Sequence, residues 1–329
     1  MHKLVIVAGA LAGSLFAQTT QVIPADFATT EAGSSTAWPF GLGSACRIQY
    51  LYGAGETGLN APVTIRSLNL RANGGAANVA KNNIDLEISL STTSVTVGTA
   101  STTFANNHGP NLTVAYVRKM TSVQATMATT PGQYTGPLML DVPFPYDPAA
   151  GNLLIDYDIA SQPAGTWTHD TPFTTAGTHT AVGTSCGGLS ASSTGGVLGG
   201  SLTLSMSGGV ANNPAVLLVG TTVLPTPVPV PGSPGCFLYQ DFPVTIPMPL
   251  SATGAASLPL SVPPLSFYRG AVILSQWGAA NASLGIETTQ TRQSTLASWV
   301  VLRVHNTSSN TSPTGTVQNY VGIVTELGL

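Results

Sequence analysis

Two aspartates set two residues apart, Asp156 and Asp158, are the strongest chemical constellation in this chain. They alternate with Ile155, Tyr157 and Ile159, so an extended strand points both carboxylates to one face. His169 and Asp170 follow closely enough to bring an imidazole and a third carboxylate to the same sheet surface. Such a set suits Ca2+, which takes about six to eight oxygen ligands, or an acid/base pair acting on a glycosidic bond. The simpler alternative is that the aspartates decorate the solvent face of an antiparallel strand. No DxDxDG loop is present to complete a calcium site, which favours the simpler reading. Asp85 and Glu87, between Ile84, Leu86 and Ile88, read the same way.

His108 and His179 fall in Gly/Asn/Thr-rich loops, and His305 ends an apolar run. A hydrolase would need one of them beside a serine and an orienting carboxylate. In a serine-rich chain such triples exist on paper everywhere, and none stands out. The aromatics are the better clue. Trp38-Pro39-Phe40, Phe144-Pro145-Tyr146, Trp167, Phe267-Tyr268 and Trp277 include several beside prolines and turns, where rings can stay exposed. Exposed rings on a sheet stack against sugar faces without any formal charge. Most large rings nevertheless belong to cores. Trp277 is expected in the core, and Trp38 and Trp167 are the candidates for a glycan site.

These groups stand in a chain with only ten Lys+Arg and thirteen Asp+Glu among 329 residues. That is 7% charged, against about 25% in an ordinary soluble domain. Gly, Ser, Thr, Ala, Pro and Val replace the ions, the palette of pleated strands and tight turns. So low a charge argues against catalysis, and the scattered Arg47, Arg66, Arg71, Arg118 and Lys119 form no patch for nucleic acid. Residues 1–17 read as an export signal: His2 and Lys3, an apolar run over 4–11, then small residues ending at Ala17. No later run approaches the roughly 20 apolar residues of a membrane helix. The expectation is a secreted or cell-surface protein.

In an oxidising compartment three cysteines allow one bridge. Cys186 and Cys236 both lie in Gly-rich turns and are expected to pair, closing a loop worth roughly 4 kcal/mol. Cys46 is left as a buried thiol, or as a link between chains if it is exposed. No Cys/His spacing suggests zinc.

Period-two alternation over residues 84–90, and similar runs over 63–70, 112–117, 138–144 and 153–159, predict antiparallel strands. Further runs cover 202–206, 215–219, 237–239, 258–262, 268–276 and 284–287. The fold class is all-β: two antiparallel sandwiches, jelly-roll-like, over 18–182 and 183–329, with a C-terminal hairpin around the polar loop 306–315. The Gly/Ser/Thr-rich passage 181–200 marks the boundary. The proline-alternating segment 224–231 reads as an edge inside the second unit, because the disulfide spans it.

Gly235-Cys236-Phe237-Leu238-Tyr239, the Leu-Pro-Leu run at 258–260, residues 267–277 and Asn281-Ala282-Ser283-Leu284-Gly285 resemble the C-terminal module of secreted proteins from planctomycete-type bacteria. Upstream, Pro39-Phe40, Arg47-Ile48-Gln49-Tyr50, Ile65-Arg66-Ser67-Leu68, Pro143-Phe144-Pro145-Tyr146-Asp147 and Gly151-Asn152-Leu153-Leu154-Ile155-Asp156 are similar to their N-terminal half. The resemblance implies a secreted β-sandwich protein and carries over no catalytic residue. Sequons such as Asn111-Leu112-Thr113 have no weight in a bacterial setting. The function expected is non-catalytic: cell-surface structure, adhesion or glycan binding, with partners among extracellular glycans or envelope components and with self-association. The rival is a secreted hydrolase of polysaccharide using Asp156 or Asp158 with His169.

Overall fold

The computed structural model describes residues 19–174, 176–283 and 285–329. The expected export signal lies outside the described residues, as does Leu284 at the head of one expected strand. The described chain is all-β, with antiparallel sheets and a few single-turn 3-10 helices.

A six-stranded sheet organises the molecule. Its order is Thr316–Asn319, Val301–Asn306, Cys46–Tyr52, Asn152–Ser161, Lys81–Thr93, Thr113–Val123. A four-stranded sheet of Thr20–Ile23, Thr325–Gly328, Val63–Leu70 and Leu138–Tyr146 contributes to the same apolar core. The central sheet supplies Ile48, Tyr50, Ile88, Ile155 and Tyr157 to that core, and the four-stranded sheet supplies Ile65, Leu68, Phe144 and Leu327. In the central sheet these are alternate residues of each strand, as a two-residue side-chain period requires, and a register shift between Ile65 and Ser67 brings both Ile65 and Leu68 inward.

The other face of the central sheet is not left to solvent. Leu51, Leu154 and Leu302, cross-strand neighbours, belong to a second core with Leu202, Leu204, Leu217 and Trp277. That core lies between a sheet of Thr178–Val182, Thr291–Thr295, Val272–Ala280, Pro214–Gly220 and Val244–Pro249, with Ile286–Thr288 paired to Val272–Ala280, and a three-stranded sheet of Ser190–Gly195, Ser201–Ser207 and Ala256–Ser261. One sheet therefore has a core on each side. Every residue of the Cys46–Tyr52 strand except the half-buried Arg47 is buried, and its second half, Tyr50-Leu51-Tyr52, is consecutive apolar residues as double burial requires.

Several expectations change in position. The strands expected to trail as a hairpin on the second unit enter the sheets around the first core. Val301–Asn306 pairs with Cys46–Tyr52, and Thr325–Gly328 lies between Thr20–Ile23 and Val63–Leu70. The reason is in the residues: Val301 packs into the first core while its neighbour Leu302 packs into the second. Thr316–Asn319 does pair back on Val301–Asn306 as a hairpin. The passage 181–200, read as a loosened boundary, holds the Ser190–Gly195 strand, whose small side chains hid its alternation. The apolar run expected from 268 begins as a strand only at Val272, after a 3-10 turn over Ser266–Tyr268.

Cys186 and Cys236 form a disulfide across a separation of 50 residues. The proline-rich strand Val223–Pro229 pairs only with Phe237–Gln240, and its register shifts because prolines donate no ladder hydrogen bond. Cys46 is buried against Pro39 and Gln162, and burial pushes its thiol up to about 12. It is not placed to link chains.

Candidate functional site

The outer face of the central sheet grades from apolar to charged along its strands. One cross-strand row is Leu302, Leu51, Leu154, Ser91; the next is Val304, Gln49, Asp156, Ser89; the third is Asn306, Arg47, Asp158, Glu87. The apolar row lies under the second core. The charged row lies where that cover ends.

Asp156 and Asp158 do share this face, as their spacing requires, but they are tied to different arginines. Asp156, 2% exposed, accepts from Arg47 Nη2 at 2.8 Å and Nε at 3.2 Å, from Gln49 Nε2 at 2.9 Å and from His108 Nε2 at 2.9 Å. Burial alone would raise its carboxyl. The hydrogen bonds from His108, Arg47 and Gln49 outweigh burial and hold it below the usual carboxylate range. Asp158 accepts from Arg118 Nη2 at 2.8 Å and from Asn310 at 2.9 Å. Arg118 also reaches Asp85 at 3.5 Å and Glu87 at 3.7 Å. A loop closes over this network: Gln49 donates to the Phe104 carbonyl, Asn107 to Gln49, and the Arg47 guanidinium lies over the Phe104 ring.

Among the described residues no group of three or more His, Cys, Asp or Glu could hold a metal ion. The oxygens of Asp156 are taken by donors, and a calcium ion finds no matching oxygen set there. His169 and Asp170 do not join the aspartates. His169 packs on Phe40 and Trp167 within the first core, the side that Tyr157 faces, while Asp156 faces the other way. Neither ring nitrogen of His169 has a hydrogen-bond partner, and burial lowers its pKa to about 3. Asp170 pairs with Arg71 at 2.5 Å and accepts the Ala32 N–H at 3.1 Å, while Arg71 also holds the Phe27 and Thr30 carbonyls. Burial pushes the Asp170 carboxyl up, to about 6, against these donors. This pair staples the N-terminal segment.

The two tryptophans are covered. Trp167 is fully buried, its ring 4.6 Å from that of His169. Trp38 is half-buried, with the Arg303 guanidinium 4.0 Å and the His305 ring 4.4 Å from its ring centre. Phe40, Phe144 and Tyr146 are core, and so is Trp277, as expected. Phe173 and Phe242 are exposed to about half, and among the described phenylalanines Phe267 is the most exposed, at 85%.

Phe267 stands at a recess of about 340 Å³ where the turn Ala54–Glu56 meets the turn Ser266–Tyr268. Gly55 permits the approach, since a Cβ there would collide with the Ser266 hydroxyl. Glu56, 2% exposed, accepts from Arg269 Nη2 at 2.5 Å and from the Val300 N–H at 2.8 Å. Here burial outweighs Arg269 and the backbone donor, and the carboxyl is raised. Asn152 accepts the Ala54 N–H at 2.9 Å and donates to the Val95 carbonyl at 2.7 Å.

Sequence reading noted Arg47, Arg118 and His108 singly and missed their convergence. In a chain this poor in charge, a buried carboxylate demands a donor, so a strand arginine beside strand aspartates was the available signal. Gly183-Thr184-Ser185-Cys186-Gly187 also matches the Gly-x-Ser-x-Gly elbow pattern and was passed over. Its context is wrong for that role: no helix follows, Cys186 is in the disulfide, and Ser185 bonds to Gln290. Comparison with protein-family models, with curated proteins and with solved structures finds no match in any of the three.

Proposed function

We propose that this is a secreted, non-catalytic protein of two jelly-roll-like β-sandwich modules, serving cell-surface structure, adhesion or glycan binding. The observation that carries the reading is that the carboxylates a glycosidase would draw on are engaged by arginines, amides and a covering loop. The low charge and the disulfide support it. The predicted partners are extracellular glycans or envelope components; nucleic acid, which needs a basic patch, is not among them.

The rival, a secreted hydrolase acting on polysaccharide, has one observation in its favour, and it fits removal of ester groups from the polysaccharide, not cleavage of its glycosidic bonds. Ser91 Oγ lies 3.5 Å from His108 Nδ1, and His108 Nε2 lies 2.9 Å from Asp156, the order of a serine triad. Against it, Ser91 is fully buried and its hydroxyl oxygen accepts the Gly109 N–H. The two readings separate in one paired experiment on the mature protein. Glycan-array binding without turnover of polysaccharide supports the first. Turnover that Ser91→Ala or Asp156→Asn abolishes, with the fold intact, replaces it with the second.

A further inference from the structure

We infer that the recess beside Phe267 is a binding site for a neutral pyranose of an extracellular glycan, an assignment that rests on the glycan-binding form of the proposed function. Three independent features of the recess converge on that chemistry.

The first is the ring. A phenylalanine exposed to 85% gains nothing for the fold, whereas its face offers the C–H surface of a sugar a stacking partner. Pro264 and Leu265 line the same wall, so the platform is apolar beyond one residue.

The second is unused hydrogen-bonding capacity elsewhere in the lining. Asn152 spends one amide hydrogen on Val95 and one oxygen lone pair on Ala54, which leaves one donor and one acceptor. Glu56, 2% exposed, spends both oxygens on Arg269 and one of them also on the Val300 N–H, so it fixes the turn while Asn152 supplies the polar contact. A pair of vicinal sugar hydroxyls matches an acceptor beside a donor. Glu56 and Asp26 share one arginine, Arg269, and the net negative charge of that cluster disfavours an acidic sugar in the same place.

The third is shape. At about 340 Å³ the recess sits at the lower end of small-ligand sites, the size for one ring of a longer chain rather than for a buried drug-like molecule. Gly53 and Gly55 let Val300 and Ser266 pack close at its lining, where any side chain would collide with them.

The test is a glycan array probed with the full mature protein and with Phe267→Ala and Trp38→Ala, each checked for native circular dichroism. The ring's exposure means Phe267→Ala will fold. The expected result is binding to neutral glycans, unchanged by Trp38→Ala and weakened about ten-fold or more by Phe267→Ala. Neutral-glycan binding that survives Phe267→Ala overturns the recess and leaves the glycan reading standing. Binding confined to acidic glycans overturns the recess as well. Binding to no glycan overturns both the recess and the glycan form, and leaves a structural or adhesive role.

Discussion

Asp156 and Glu56 are equally hidden, each 2% exposed, and each is gripped by an arginine, yet burial loses at one and wins at the other. Asp156 collects donors from three side chains, including two nitrogens of Arg47, and is held more acidic than usual. Glu56 has one arginine nitrogen and one backbone N–H, and is held less acidic. The lesson is that burial alone does not fix a carboxylate's role; the count of donors around it does. The first group is saturated and structural. The second, with fewer donors, borders an open recess.

Removing the saturated carboxylate is the harshest way to break this comparison. Asp156→Ala strands the donors of Arg47, Gln49 and His108, and urea unfolding should show a loss of about 3–5 kcal/mol. A loss under about 1 kcal/mol would mean the network holds nothing together.

Acid titration sharpens the contrast through sign. His169, with a pKa of about 3 against an ordinary 6.5, contributes stability that is complete above pH 6.5 and drains away as pH falls toward 3. Asp156 adds a loss at lower pH, below its ordinary 3.8 and through its depressed folded value. Glu56 runs the other way: its raised folded value means a penalty above that value which is relieved as pH falls through it. His169→Phe, set between Trp167 and Phe40, should remove the His169 share of the slope between pH 6.5 and 3, where His305, lowered to about 4, drains in the same direction and Asp170, raised to about 6, runs the other way. An unchanged slope in that window would show that His169 is not the group responsible.

Glu56→Gln keeps the shape but turns an amide hydrogen toward Arg269 or Val300, and should cost about 1–2 kcal/mol, less than Asp156→Ala. The smallest effect belongs to Phe267→Ala. At 85% exposure the ring should change stability by less than about 0.5 kcal/mol, whatever it does to binding. A thermal melt that drops sharply would place the ring in the fold and not at a ligand.

Much of the fold was legible because period-two alternation survives in strands with one wet face. The run at 84–90 and the strand Val63–Leu70 fell where their patterns put them. The disulfide followed from two Gly-rich turns. What stayed hidden was the central sheet's double burial. Leu153-Leu154-Ile155 and Tyr50-Leu51-Tyr52 are consecutive apolar residues, and consecutive apolar residues in a strand mean that both faces are covered. That signal would have warned that Asp156, one step along the face from Leu154, does not look into solvent. The convergence of Arg47 and His108 on it was less accessible, because it depends on strand order and on how the loop after Phe104 folds back. Phe267 was among the aromatics near prolines, yet tryptophan's size drew the choice to Trp38 and Trp167, which the structure covers with Arg303, His305 and His169.

The measurement that tests the comparison most directly is a carboxyl-carbon NMR titration of Asp156 and Glu56 in the folded protein. Asp156 should titrate below 3.8 and Glu56 above 4.5, their ordinary values. A depressed Glu56 would mean that its donors outweigh burial there too, and the contrast between the two carboxylates would be lost. A raised Asp156 would reopen the outer face of the central sheet as the chemical site.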